Sequence, residues 1–301
     1  GEGVEADFDV VAFSDEEGPG EAFSKVFSGA GVKWGFEYRA MRLLELSLIL
    51  AGIPGLEWVD AGEIMKKLRM IKDESELESM RKASRLADLG ADIARKLLAP
   101  GRRGIDIARE IETQLKAEGA QAVGMSLATG VDTALPHAGT STREIAEGDL
   151  AWLDLMVCVD GYWADITRSY AVGELEPEMK RAYRAVLEAN EAARTKARPG
   201  MSGAEVDALA REVIESYGYG EYFIHRTGHG LGLEIHEDPY IVASNTSPLA
   251  IGSTFTIEPG VYIPGKGGIR IEDDVVMTES GLKSLTAYPR NLIDDDRKLV
   301  V

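Results

Sequence analysis

Four carboxylates stand inside segments that otherwise read as buried strands. Asp154 lies in "AWLDLMVCV", Asp165 in "GYWADIT", Glu258 in "STFTIEPGVYI" and Glu272 in "GIRIEDDVV". An ionised carboxylate in apolar, β-branched surroundings is costly unless it is paired, hydrogen-bonded or bound to a cation. A strand-end acid facing solvent accounts for any one of them. Four together demand a fold that carries them to a compensated place.

The four fall on a weak internal repeat. "ARKLLAPGRRG" (Ala94 to Gly104) resembles "ARTKARPGMSG" (Ala193 to Gly203). Each reads as a helix end, a Pro-Gly turn and a second helix containing "ARE". Downstream, Gly148 lies six residues before Asp154 and Gly252 six before Glu258. A second acid follows each first one, Asp165 after 11 residues and Glu272 after 14. A histidine precedes each pair, His137 and His236. Helix-turn-helix-strand pieces also recur by chance, but the shared order histidine, carboxylate, carboxylate favours a duplicated half-domain.

If the halves pack face to face, the acids converge. Four bare carboxylates sharing a cavity would repel one another into protonation, and two divalent ions would neutralise them. Oxygen donors with one imidazole suit Mn, Co, Fe or Zn and not a thiolate zinc site. A pair of such ions acidifies a shared water.

The four histidines, His137, His225, His229 and His236, lie beside the acids or in the glycine-rich run "GHGLGLEIHEDP". Gly228, Gly230 and Gly232 argue against a regular helix there. In a plain strand the odd spacing of His229 and His236 puts them on opposite faces, so they are expected to do different work. The alternate glycines match no phosphate-binding fingerprint.

Residues 1–70 alternate strand and helix. "DFDVVAF" and "LEWVD" read as strands, and "EYRAMRLLELSLILAG" and "AGEIMKKLRMI" as helices, giving a small α/β domain. A long helix follows, opened by Asp73 and Glu76 as a capping box. Its buried face is Leu77, Met80, Ala83, Ser84 and Ala87, and Pro100-Gly101 stop it.

Composition excludes several partners. A formal charge of −18 repels phosphate backbones, so nucleic acid is not expected. No apolar run approaches a membrane span, and the first ten residues lack the basic start and apolar stretch of a signal peptide. The missing initiator methionine suggests a processed or trimmed start. The lone Cys158 forms no intrachain disulfide and fits a reducing, cytoplasmic compartment. Scarce asparagine and glutamine fit a heat-tolerant source, and a GC-rich or salt-adapted one equally.

The order Asp154, Asp165, His229, Glu258, Glu272 resembles the five metal ligands of the pita-bread metallopeptidases (M24). That family includes methionine aminopeptidase, aminopeptidase P, prolidase and creatinase. "DGYWADITRS", "HRTGHGLGLEIHEDP", "TIEPGVY" and "GIRIEDDVV" are similar to its signature blocks, over about residues 70 to 290. The resemblance implies an α+β pita-bread catalytic domain with a pseudo-twofold repeat at 71–301. A creatinase-type N-terminal domain, shortened, precedes it at 1–70. It implies two divalent ions, Mn or Co before Zn or Fe. Asp154 would chelate one, Asp165 and Glu272 would bridge both, and His229 and Glu258 would complete the second. Glu258 would also shuttle the proton, His236 would contact the scissile carbonyl, and His137 would hold substrate and assist the leaving group. His225, Tyr262 and Arg270 match positions lining a proline pocket.

The activity implied is that of the proline-specific branch: hydrolysis of Xaa-Pro dipeptides by a water activated between the ions, in a homodimer. Alternatives are an Xaa-Pro aminopeptidase acting on longer peptides and a non-catalytic binding protein on the same scaffold. Methionine aminopeptidase fits less well, because it lacks the extra domain. Met156 departs from the pattern, since a small residue often stands two after the first aspartate, and an altered hairpin is expected there.

Overall fold

The computed structural model describes residues 9–27, 31, 33–293 and 299–300. The chain divides into two compact units at Leu68/Arg69.

In the first unit, helices α1 (Gly20–Phe27) and α2 (Leu43–Gly52) accompany two strands, β1 (Lys33–Phe36) and β2 (Glu57–Asp60). The strands pair in parallel. Helix α3 (Gly62–Met70) follows β2 directly. Phe36, Ile49, Ile53 and Leu56 form a small core. Of the strand read in "DFDVVAF", residues 7 and 8 lie outside the described residues, and the rest is irregular, with Val10 and Phe13 exposed. Among the described residues, none of 9–13 pairs with β1 or β2. The helix read from Glu37 starts only at Leu43, because a turn occupies Tyr38–Ala40.

The second unit consists of two halves with the same plan. In the first half, α4 (Glu74–Leu97) and α5 (Gly104–Ala117) pack on the sheet β3 (Ala122–Thr129), β4 (Asp149–Val159), β5 (Tyr162–Val172), in that order. The second half has helices α6 (Pro177–Lys196) and α7 (Gly203–Ser216). Its strands are β6 (Gly228–Gly230), β7 (Glu237–Ile241), β8 (Thr254–Ile257), β9 (Gly260–Ile263), β10 (Gly267–Arg270), β11 (Asp273–Thr278) and β12 (Gly281–Ser284). Its main sheet runs β12-β11-β8-β6-β7. Thus β6-β8-β11 repeats β3-β4-β5. The long strands of the first half are each broken in two in the second. β8 stops before Glu258-Pro259, where proline has no N–H to offer a ladder.

The duplicated turns superpose in their bonding. Gly101 N–H donates to Ile145 O, and Gly200 N–H to Leu249 O; the two glycines have φ of 81° and 88°. Gly148 and Gly252 repeat the match, with φ of 82° and 87°. Only glycine adopts that backbone without strain, so the Pro-Gly and pre-strand signals are geometric necessities. Each half has its own apolar core, one around Ile107, Ile111, Leu153 and Leu155, the other around Val186, Val206, Phe255 and Ile257. Each fully buried aliphatic side chain contributes roughly 1.5–3 kcal/mol. The capping box at Asp73 forms as read, and all five predicted face residues of α4 are buried.

Candidate metal centre and active site

The register of the β4–β5 hairpin brings the first two acids together. Asp154 faces Thr167 and Met156 faces Asp165, so all four project from one face, with the aspartates diagonal neighbours. Met156 does not disturb this. The pairing is continuous from Asp149 to Val172, and Met156 lies over Gly124, which leaves it room.

Glu272 arrives from the other half. Its N–H donates to Thr167 O at 3.1 Å, and Thr167 Oγ1 donates to its Oε2 at 2.6 Å. Asp165 N–H donates to Asp274 Oδ2 at 2.9 Å. These bonds lace β5 to the start of β11. Behind them, Arg168 donates to Glu272 O at 2.5 Å and to Asp273 Oδ1 at 2.9 Å. Arg290 and Asn190 also bind Asp273. Burial works against its charge, but Arg168 and Arg290 hold the Asp273 carboxyl well below the usual range. The three acids of "EDD" therefore have three fates, which sequence reasoning did not separate. Asp273 is an ion-pair hub, Asp274 holds the Asp165 backbone, and Glu272 faces the cavity. Arg168 was missed as well, and its position directly after Thr167 carries no sequence signal.

His229 enters on β6, inserted against β8. A Cβ on Gly228 would sit 1.9 Å from Thr256 O, and one on Gly230 2.2 Å from Asp238 O, so glycine alone permits the approach. His229 is 2% exposed. Its Nδ1 lies 3.0 Å from Gly230 O, a carbonyl that can only accept, so Nδ1 carries the proton. Nε2 therefore presents a lone pair, 3.4 Å from Glu258 Oε1 and 3.9 Å from Asp165 Oδ2. Burial pulls the pKa of His229 down to about 4, so the ring is neutral at pH 7.

Ligand atoms of Asp165, His229 and Glu272 lie within 4.8 Å of one another. Asp165 Oδ1 and Glu272 Oε1 are buried without a hydrogen-bond partner. Burial and the neighbouring carboxylates, Glu272 and Asp154 around Asp165 and Glu258 and Asp154 around Glu272, raise both pKa values well above the ordinary range. Acceptors turned toward acceptors in a desolvated place fit divalent cations. Harder oxygens with one imidazole match Mn, Co, Fe or Zn.

The predicted substrate group forms one network beside this cluster. Arg270 Nη2 donates to Asp154 Oδ2 at 2.7 Å, Nη1 donates to Tyr262 Oη at 2.7 Å, and the guanidinium stacks 4.7 Å over Trp152. His225 Nδ1 donates to Arg226 O at 2.7 Å, leaving Nε2 to accept from Tyr262 Oη at 3.0 Å. Burial lowers the pKa of His225 and raises that of Tyr262 to about 12, so both are neutral.

The acids and all four histidines line one cavity of about 670 Å³, with Arg226, Tyr240, Val242 and Met156 in the same walls. His137 and His236 are exposed in it. One expectation needs correction. His229 and His236 do not diverge, because their rings meet edge-to-face with centroids 4.3 Å apart. A loop between β6 and β7 replaces the plain strand on which the face argument depended. Among the described residues, no helix is long and apolar enough to cross a membrane.

This is the centre of a metal-dependent hydrolase built on a duplicated α+β scaffold. Residues 78–279 match Metallopeptidase family M24, and the chain belongs to that family. It is 42% identical over 239 residues to the Xaa-Pro dipeptidase of Pyrococcus furiosus, covering 79% of this chain and 69% of that protein. Among solved structures, it is similar to an Xaa-Pro dipeptidase from Bacillus anthracis. The TM-score is 0.86 at 37% identity, covering 91% of this chain and 78% of that one. An X-Pro aminopeptidase from Thermotoga maritima gives a TM-score of 0.87 at 35% identity, covering 96% and 82%. The pita-bread fold with its internal repeat is therefore that of this chain.

Proposed function

We propose that the protein hydrolyses the peptide bond before proline, with Xaa-Pro dipeptides as its substrates. One observation carries the reading: ligand atoms of Asp165, His229 and Glu272 lie within 4.8 Å of one another, and Asp165 and Glu272 each carry a buried oxygen without a hydrogen-bond partner. The names of the relatives supply the substrate class.

Asp154, Asp165, His229, Glu258 and Glu272 would hold two divalent ions, Mn or Co before Zn or Fe. When bound, such ions polarise a carbonyl and acidify water. Glu258, half-buried beside His229, takes the proton of the attacking water and returns it to the proline nitrogen. That nitrogen leaves as a secondary amine and needs the proton. His236, in contact with the His229 ring, donates to the carbonyl oxygen as negative charge develops there. His137, exposed in the cavity, holds substrate on the leaving side. The neutral His225–Tyr262 pair and the Arg270 clamp line the surface for the proline ring, whose fixed φ excludes extended binding. A homodimer belongs to the same reading, as does a creatinase-type first domain.

The test is hydrolysis of a panel of Xaa-Pro dipeptides and Xaa-Pro-Xaa tripeptides, with Mn, Co, Zn and Fe restored in turn to metal-free protein. Dipeptides should be cleaved faster than tripeptides, and only with metal. Absence of both metal binding and cleavage at pH 7–8 would sink the reading. A faster tripeptide reaction would favour the aminopeptidase alternative.

A further inference from the structure

We propose that Lys72 positions His236 for the reaction by gripping its neighbour, Glu237. This rests on the reading of His236 as the donor to the scissile carbonyl. His236 is exposed in the cavity and stands at the end of the irregular loop 231–236. The front of that loop is tied by its backbone. Thr254 Oγ1 donates to Leu231 O at 2.7 Å, and Trp163 N–H donates to Gly232 O at 2.8 Å. The far end is tied through a side chain. Glu237 opens β7 opposite Gly230, and its carboxylate turns to two cations. Oε1 accepts from Lys72 Nζ at 2.5 Å, and Oε2 accepts from Arg69 Nη2 at 2.9 Å. Arg69 Nη1 also donates to Glu234 Oε1 at 3.3 Å.

Lys72 is itself fixed. Its N–H donates to Gly252 O at 3.0 Å, Ile71 bridges to Ser253, and Asp73 caps α4. The Lys72 and Glu237 side chains are 1% and 7% exposed. The pair passes directly against the loop. A Cβ on Gly232 would meet Lys72 Cε at 2.6 Å and Glu237 Oε1 at 2.9 Å, so the absence of a side chain at 232 admits the ammonium. Desolvating two charges costs about as much as their attraction returns, and a well-packed apolar pair of similar volume serves stability as well. What the ion pair supplies is direction. Charge-assisted bonds set Glu237 on a fixed heading, and the backbone of the adjacent His236 with it. Neither Lys72 nor Glu237 lines the cavity, so both act on the substrate through His236.

The experiment compares Mn-loaded wild type, Lys72→Met, Glu237→Gln and the double variant Lys72→Met/Glu237→Leu on an Xaa-Pro dipeptide. Each is also combined with His236→Ala. Displacing a reacting group by about 1 Å costs up to about a hundredfold in rate. All three variants should lower kcat about ten- to hundredfold, with KM moving less than about threefold and Mn content unchanged. The double variant should melt near wild type and still turn over slowly, which a purely stabilising pair does not predict. In the His236→Ala background none of the changes should lower kcat further, because they act through a ring that is gone. The chain has only four histidines, so nitrogen NMR of the rings in Zn-loaded protein supplies a readout apart from turnover. The His236 signals should move in Lys72→Met while those of His225 stay. A kcat loss of equal size with and without His236, a double variant as fast as wild type, or an unmoved His236 signal overturns the assignment while leaving the hydrolase reading intact. A wild type that cleaves no Xaa-Pro dipeptide overturns both. If one variant fails to fold, the others carry the same comparisons.

Discussion

At the scale of single residues, the candidate metal cluster is an arrangement that opposes folding when it is empty. Asp165 is buried, bears an oxygen without a partner and has a carboxyl pKa raised well above its ordinary 3.8 by burial and by Glu272. Its folded pKa exceeds its unfolded one. The stability of the protonated form is fully present below the unfolded value and is lost as pH rises through the folded value. Asp165→Asn removes that penalty. The metal-free variant should melt a few degrees above metal-free wild type at pH 8, the gap closing toward pH 4, and it should gain nothing from added Mn. Calorimetry at several pH values checks both. A variant that melts lower at pH 8, or that still responds to Mn, contradicts the assignment. The residues of this cluster were legible because each sits in a context that is costly without a cation. Arg168 and Asp273 were hidden because their bonds join positions 105 residues apart.

At the scale of elements, β6 is the least replaceable piece. It is three residues long and places His229 only because Gly228 and Gly230 let it lie against Thr256 and Asp238. Gly228→Ala would drive a methyl group into the Thr256 carbonyl. The expected outcome is displacement of the strand and loss of bound metal, read as metal content per protomer in whatever soluble protein is recovered. Normal metal content in that variant would contradict this account. Asp73→Ala serves as the comparison. It removes the α4 N-cap and should lower the melting temperature without altering metal content. Helix α4 was readable at its start to the residue, because its cap and its apolar face agree, and it ends at Leu97, shortly before the Pro-Gly stop. The strand read near residue 10 failed because apolar alternation predicts a strand only where a neighbour exists to pair with it.

At the scale of the whole molecule, the two halves meet where Asp154 and Asp165 from one face Glu258, Glu272 and His229 from the other. Cations would join them, so their removal should be felt globally. Chelation should lower the melting temperature, since a ligand at 100 times its Kd stabilises by about 2.7 kcal/mol. The raised pKa values of Asp165 and Glu272 mean that protons compete with the metal and leave when it binds. Calorimetric titration in two buffers of different ionisation enthalpy should therefore show proton release near neutral pH. The stabilisation by Mn should be larger at pH 8 than at pH 5.5. Binding without proton release would mean that other groups hold the metal.

The sequence by itself determined the duplication, the four acids and the need for a cation, because helix caps, left-handed glycines and buried charges are constraints that act within a few residues. The tertiary structure decided which acid faces the cavity and which is spent on arginine. It also brought His236 into contact with His229 and set Arg226 over the ring of Tyr240. Those outcomes depend on strand register and on bonds between halves about a hundred residues apart, and no local pattern encodes the distance between two side chains that meet only after both halves have folded.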